Sequence, residues 1–293
     1  MIRSVLSRVD LAESNKAKSA IMQHKHNELL STPLPSIGLG TFKLAGETCT
    51  KVVTDALAVG YRHIDTASRY DNESAVGAGI VASGIPRERI FVTTKLPLDC
   101  EARDVAGAVV HSLRRLKTDY VDLLLIHWPS RRVRSGGTIE GMLEAQAAGL
   151  VRHVGVANFP HDLLAKVEQY PLFANQIEYH PLLSQRKTVS ATRRAGMYVI
   201  AHTPLARGRA VTDPTVVKWA EELNISPAQL LLRWLTQQQN VVAIPRTSNP
   251  IHLVQNHEAA LLTLPEPALA ALDQLGCGYR VADPLHAPDW PGE

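Results

Sequence analysis

The sequence predicts a single-domain (β/α)8 TIM barrel, an α/β fold in which eight parallel strands alternate with helices. Three observations carry this expectation. From Ser36 onward, short β-branched runs alternate with longer helical patterns, with no break in composition. The runs number eight within roughly 230 residues, close to the ~250 residues usual for such a barrel. They are also nearly continuous apolar stretches, as expected when both faces of a parallel sheet are covered.

The strand candidates, in order, are Ile37–Thr41, His63–Ala67, Ile90–Lys95, Val121–His127, His153–Asn158, Ala174–Tyr179, Tyr198–Thr203 and Val241–Pro245. Amphipathic helices should fill the gaps. Val105, Val109, Leu113 and Leu116 recur at helical spacing and leave Arg114, Arg115 and Lys117 for solvent. Ser226-Pro227-Ala228-Gln229 offers a capping box with proline at the first helical position, ahead of Leu230, Leu231, Trp234 and Leu235. The rival architecture is an open doubly wound sheet, which normally carries a glycine-rich phosphate turn directly after its first strand. Gly77-Ala78-Gly79-Ile80-Val81-Ala82 fits that pattern literally, but it falls inside a helical run beginning at Glu73. Small residues on a helix packing face explain it better.

Composition limits the function classes. The 293 residues are 45% apolar and 20% charged, enough to build a full core. Net charge is +3, so this is not a polybasic nucleic-acid binder. Residues 1–32 hold Arg3, Arg8, Lys16, Lys18 and Lys25 against Asp10, Glu13 and Glu28, which accounts for most of that charge. They read as a flexible N-terminal extension, or as a start placed upstream of Met22. Residues 33–293 form the barrel, with a short C-terminal tail over its mouth. Cys49, Cys100 and Cys277 are odd in number and widely spaced, which favours free thiols in a reducing compartment. No apolar window approaches the ~18 residues of a membrane span. A cytoplasmic monomer without membrane or nucleic-acid partners is the expectation.

In a (β/α)8 barrel the reactive residues come from the carboxyl ends of different strands. The polar residues at those ends are Asp65, Lys95 and His127, with Tyr70 on the loop beyond Asp65. Singly, each has a structural explanation; together they suit a proton-handling site. A phenol with an ordinary pKa near 10 is a poor donor at neutral pH, and a nearby ammonium should lower it. Lys95 can supply that charge, Asp65 can hold Lys95, and a neutral His127 can orient a carbonyl oxygen. Such a site suits adding hydride to a carbonyl carbon while Tyr70 protonates the oxygen.

The segments Gly60 to Glu73 (GYRHIDTASRYDNE), Thr94-Lys95-Leu96, Leu125-Ile-His127-Trp-Pro129, Val154-Gly-Val-Ala-Asn158-Phe, Asn175-Gln176-Ile-Glu and Ile244-Pro-Arg246-Thr-Ser carry a family resemblance. In that order, across Pro35 to Trp290, the chain resembles the aldo-keto reductase family, and within it the bacterial 2,5-diketo-D-gluconate and methylglyoxal reductase branch. The resemblance implies an NADPH-dependent reductase of small aldehydes and ketones. It makes Tyr70 the proton donor, Lys95 and Asp65 its tuning pair, and His127 the orienting group. It implies an extended cofactor lying across the barrel mouth, with Gly40 and Thr41 beside it near strand 1. Asn158 and Gln176 then bind the nicotinamide carboxamide, and Gln255 and Asn256 the adenine.

Departures from the family pattern set further expectations. Ala157 stands where serine is frequent, removing one hydrogen bond. His202-Thr203-Pro204-Leu205 replaces a tyrosine-led segment, so a smaller, titratable ring should face the nicotinamide and alter pH dependence. Arg246, followed by Thr247, replaces a lysine and can hold phosphate bidentately. His252 replaces an arginine, so NADPH should be preferred over a still tolerated NADH by a narrower margin than where two fixed charges bind. Ser248-Asn249-Pro250 reads as a helix start that adds to the anion site. Arg207 is either a phosphate clamp or a solvated loop charge, and Gly208 permits close backbone approach. Phe42, Trp128, His127 and Trp290, or Leu285, should line a shallow substrate mouth. Arg131, Arg132 and Arg134 either steer anionic substrates or are simply solvated.

Two other functions compete. A metal hydrolase needs a cluster that twelve histidines here do not assemble in sequence, and no metal is expected. A nicotinamide-binding regulatory or structural subunit without turnover would keep the fold, and the complete set of four reactive residues argues against it.

Overall fold

The structure is a computed structural model that describes residues 34–292. The N-terminal extension expected over residues 1–32 lies outside the described residues.

Eight parallel strands hydrogen-bond in sequence order. The chain runs β1 (Leu39–Gly40), α1 (Gly46–Val59), β2 (His63–Asp65), α2 (Glu73–Ala82), β3 (Phe91–Lys95), α3 (Ala102–Leu116) and β4 (Val121–Ile126). It continues through α4 (Ser135–Ala147), β5 (Val151–Ala157), α5 (His161–Ala165), β6 (Ala174–Glu178), α6 (Arg186–Arg194) and β7 (Tyr198–His202). Two helices, α7 (Pro214–Glu222) and α8 (Pro227–Thr236), precede β8 (Val241–Ala243), and α9 (Pro250–Glu258) and α10 (Glu266–Asp273) follow it. The sheet closes on itself just before β1. Gly38 N donates to Ala243 O at 2.9 Å, Ala243 N to Ser36 O at 2.9 Å, and Gly40 N to Pro245 O at 3.0 Å. A Cβ on Gly40 would stand 2.8 Å from Ile244 O, so this close approach requires glycine.

Strand parity decides what the barrel encloses. Leu123 and Leu125 of β4 belong to the inner cluster with Phe91, Phe173, Ala174, Ile200 and Val242. Leu124 and Ile126, of the opposite parity, belong to the cluster that includes the helix residues Val105 and Val109. Because side chains alternate along a strand, Asp65 shares a face with His63, Lys95 with Phe91, His127 with Leu125, and His202 with Ile200. Gln176 and Glu178 likewise share the face of Ala174. The carboxyl ends of five strands thus turn polar groups inward above an apolar plug.

Local chemistry sets the helices. The amphipathic stripe of α3 is buried at Val105, Val109, Leu113 and Leu116. The Ser226 box caps α8, with Ser226 Oγ accepting from Gln229 N and Gln229 Oε1 accepting from Ser226 N. The glycine pattern lies inside α2. A Cβ on Gly77 would stand 2.8 Å from the Leu116 Cα, and one on Gly79 2.7 Å from Thr50 O. These glycines let α2 press against its neighbours. Gly77→Ala is therefore expected to cost about 1–3 kcal/mol, read as a lower urea midpoint; an unchanged midpoint contradicts this packing. No helix among the described residues is long and apolar enough to cross a membrane.

Candidate active site

Tyr70 is held by its loop before it meets any ligand. It ends the 3-10 turn Ser68–Tyr70, and Ser68 Oγ ties that turn to Lys95 O at 2.9 Å. Asp71 then turns left-handed, with φ 53°, so the chain can enter α2. Asn72 is buried and locks the loop: its Nδ2 donates to Thr41 O and Leu44 O, and its Oδ1 accepts from Thr66 Oγ1 at 2.7 Å. Glu73, at the start of α2, accepts from Thr94 Oγ1 on β3 and from Arg115 Nε on α3.

Asp65, Tyr70, Lys95 and His127, the four candidates from the sequence, come together at the strand ends. Lys95, 1% exposed, donates from Nζ to Asp65 Oδ1 at 2.5 Å, to Thr66 O at 2.8 Å and to Tyr70 Oη at 3.4 Å. Gln176 Nε2 donates to the other Asp65 oxygen at 2.7 Å. The rings of Tyr70 and His127 meet edge to face at 5.6 Å, and Phe42 packs on Tyr70 at 5.0 Å.

Electrostatics correct one expectation. Lys95 was to depress the Tyr70 phenol, but the Tyr70 pKa is raised. Burial is the largest cause; Lys95 opposes it, and Asp65 adds to it. Burial also works against the Lys95 charge, yet Asp65 and Tyr70 together raise its pKa and keep it an ammonium. Asp65 is raised by burial, against the pull of Lys95 and of the hydrogen bonds from Lys95 and Gln176. His127 is held well below its ordinary value by burial, then by Lys95 and Arg69, and is therefore neutral. Its Nδ1 has no hydrogen-bond partner among the described residues.

His202 corrects a second expectation. Burial, opposed by Glu178 and assisted by Lys95, pushes its pKa down to about 4, so the ring does not titrate near neutrality. It belongs to a fixed chain of hydrogen bonds instead. Asn158, left-handed at φ 63°, donates from Nδ2 to His127 O at 3.0 Å, which leaves its Oδ1 to accept from His202 Nε2 at 2.9 Å. The Nε2–H tautomer leaves the His202 Nδ1 lone pair for the Thr203 hydroxyl at 3.0 Å. The His202 bond thus goes to the Asn158 side chain and orients its amide. Asn158 keeps one amide hydrogen and one lone pair for a ligand.

These imidazoles predict acid sensitivity. His63, buried on β2, is pushed down to about 3 by burial and then by Lys95. In the unfolded chain His63 and His202 return to about 6.5. The unfolded state then binds more protons below that value, so their stabilisation is complete above about pH 6.5 and is lost as pH falls toward 4. The urea midpoint should drop steadily across that window, and a flat midpoint contradicts buried neutral rings.

A second set of sequence-predicted residues stands apart from the reacting groups. Arg246 is exposed, with Nη2 3.5 Å from Lys43 O. Thr247 Oγ1 accepts from Asn249 N, and Asn249 Oδ1 caps α9 through Ile251 N at 2.8 Å. His252 is exposed on α9, Gln255 is half-buried and Asn256 is buried. Leu205 is half-buried, Arg207 is exposed at φ 51°, and a Cβ on Gly208 would meet open space. Thr41 is buried, its Oγ1 donating to Asp65 O at 2.9 Å. A guanidinium, a capped helix start, an open glycine and the unspent amide valences of Asn158 form a donor set that fits a phosphate-bearing nicotinamide dinucleotide.

The mouth also uses residues to which the sequence reading gave no role. Glu178, 1% exposed, accepts from His180 Nε2 at 2.9 Å, from Val281 N at 2.8 Å and from Ala282 N at 2.6 Å. It thereby anchors the C-terminal segment, which brings His286 to Trp128 at 5.3 Å and Trp290 to Trp128 at 6.3 Å. Arg280 covers Trp290 at 3.6 Å. The signal in the sequence was an acid ending a buried strand. Leu285 points wholly into solvent and does not line the mouth. Arg131 is engaged with Asp289 and Ala287 O, and Arg132 lies 3.9 Å from Asp99.

A closed parallel barrel whose mouth holds an acid, a lysine, a phenol and an imidazole defines a carbonyl-handling oxidoreductase type. The chain belongs to the aldo/keto reductase family, whose model matches residues 36–276. It is 37% identical over 265 residues to the methylglyoxal reductase DkgB of Escherichia coli O157:H7, covering 88% of this chain and 99% of that one. An aldo-keto reductase of Mycobacterium avium (strain 104) is 41% identical over 261 residues, 87% of this chain and 90% of its own. A crystal structure described as that of a 2,5-diketo-D-gluconic acid reductase B superposes with TM-score 0.85 at 36% identity, covering 88% of this chain and 94% of that one.

Proposed function

We propose that the protein reduces small aldehydes and ketones, 2-oxoaldehydes or keto sugar acids, to alcohols with NADPH. The observation that carries the reading is the contact of Lys95 Nζ with both Asp65 and Tyr70 Oη, facing a neutral His127. The bound nicotinamide supplies a hydride to the carbonyl carbon. His127 donates one hydrogen bond to the carbonyl oxygen and orients it. Tyr70 passes its Oη proton to that oxygen as negative charge builds there. A raised phenol pKa does not block this, because an alkoxide is a far stronger base than a phenolate. The Lys95 ammonium holds the phenolate left behind, and Asp65 with Gln176 holds Lys95 in place.

On this reading Arg246 and the start of α9 hold the phosphate that distinguishes NADPH, while Asn158 takes the carboxamide and Gln255 and Asn256 the adenine. Phe42, Trp128 and Trp290 enclose the substrate, and the enzyme works as a cytoplasmic monomer. Mixing the protein with methylglyoxal and either NADPH or NADH, and following the nicotinamide absorbance, tests this. Oxidation of NADPH with higher kcat/KM than NADH is expected. NADPH binding without oxidation across a panel of aldehydes and ketones would establish a silent subunit instead, and equal efficiency with NADH would overturn the cofactor assignment.

A further inference from the structure

Helix α6, with the sequence RKTVSATRR, carries four basic residues and no acid. Thr188, Val189 and Thr192 are its buried residues, and Arg186, Ser190, Arg193 and Arg194 recur at helical spacing along the flank beside them. That flank lines a cleft of about 560 Å³ on the helix side of the barrel wall. Trp234 of α8, packed on Tyr179 at 5.2 Å, and Asp273 at the end of α10 line it too. None of the residues of the reaction or cofactor sites does. The guanidiniums bond only to neutral oxygens. Arg186 Nη2 donates to Asp273 O at 3.1 Å, Arg193 Nη2 to Gln238 Oε1 at 3.1 Å, and Arg194 Nη1 to Ser190 Oγ at 2.9 Å. None of the three forms an ion pair among the described residues, whereas Arg87, Arg115 and Arg152 each meet a carboxylate. Arg193 Nε is buried without a hydrogen-bond partner among the described residues, and such an atom is ordinarily satisfied by water or a bound group. The Asp273 carboxylate already accepts from Trp234 Nε1 at 2.8 Å.

We infer that this cleft is a second ligand site, separate from the mouth, that takes the phosphate monoester of a small polyhydroxy compound. Its volume falls within the ~300–1,000 Å³ range of small-molecule sites. A guanidinium has five N–H donors, and each of these three uses few of them within the protein. The remainder suit a doubly charged phosphate, whose oxygens accept paired N–H groups in a fork. A cleft lined by one sign of charge over low-dielectric walls also concentrates an oppositely charged ligand. Ser184 and Gln274 add a hydroxyl and an amide for the hydroxyl groups of the rest of the molecule. Binding there needs neither the hydride nor the nicotinamide, so it stands independently of the reductase reading.

Isothermal titration with glucose 6-phosphate, inorganic phosphate and glucose tests this on the full chain. Glucose 6-phosphate should bind more tightly than inorganic phosphate, and glucose should not bind. The affinity should persist in excess NADPH, which separates this site from the phosphate site proposed at Arg246. R193Q/R194Q should weaken binding about tenfold or more, and R132S should leave it within about twofold. Arg194 is exposed, so R194Q alone keeps the fold and should show part of the loss. Amide hydrogen exchange gives the location: glucose 6-phosphate should slow exchange in residues 186–194 and 273–276 and leave 247–253 unchanged. Absence of binding, an affinity no higher than that for inorganic phosphate, displacement by NADPH, or undiminished affinity in R193Q/R194Q overturns the inference.

Discussion

Replacing Tyr70 by phenylalanine is expected to lower kcat/KM for aldehyde reduction by about 10²- to 10⁴-fold, the usual worth of a positioned general acid. The substitution removes one oxygen and leaves the ring that packs on Phe42 and His127. The loop is held by Asn72 and Ser68 rather than by the phenol, so the fold should not respond. Cofactor affinity, followed by fluorescence quenching with NADPH, is expected to change less than about threefold, because a rate loss of that size with binding retained is the signature of a transition-state contact. A Tyr70→Phe protein that turns over normally would remove the phenol from the mechanism.

The second large effect concerns the buried pair beneath the phenol. Lys95 and Asp65 are 1% and 2% exposed, so removing either partner strands the other in the barrel interior. Lys95→Met and Asp65→Asn are each expected to destabilise by about 3–5 kcal/mol in urea unfolding, because the surviving charge loses its compensation. Both should also depress turnover. Without the ammonium no cation supports the phenolate, and without the carboxylate the ammonium keeps only Thr66 O and Tyr70 Oη as partners. Combining the two substitutions should recover much of the stability and none of the activity, a non-additivity that follows from direct contact. Singles that unfold like the wild type would show that the pair is solvated.

The barrel was legible because its signals are local. A strand buried on both faces writes an uninterrupted β-branched run, and each of the eight runs became a parallel strand within a few residues of its expected ends. Asp65, Lys95 and His127 were legible for the same reason, since strand parity and the strand end locate a side chain without knowledge of the partners. Long-range pairings were not. Glu178 binds Val281 and Ala282 across about a hundred residues, and nothing near Glu178 announces that destination. The hydrogen bond from His202 to Asn158 was hidden too, because it requires β5 and β7 to bring two strand ends together. Electrostatic outcomes were the least legible. The ammonium beside Tyr70 was foreseen, but whether it or burial prevails depends on how deeply the phenol is enclosed, which the fold alone decides.

The glycine pattern in α2 makes the complementary point. Its literal fit to a phosphate-binding turn has no structural content, because Gly77 and Gly79 serve helix contacts with Leu116 and with Thr50 and Val53. The features proposed to hold the cofactor's phosphate lie instead where β8 leads into the capped start of α9.

The account stands on transfer of a hydride to a carbonyl carbon at the mouth where Tyr70 and His127 meet. NADPH carrying deuterium at the transferring position of nicotinamide C4, incubated with the protein and methylglyoxal in ordinary water, tests it directly. Mass spectrometry and NMR of the alcohol should find one deuterium on the carbinol carbon and none on the hydroxyl after exchange. An alcohol whose carbinol hydrogen comes from water, or no alcohol while NADPH binds, would contradict it.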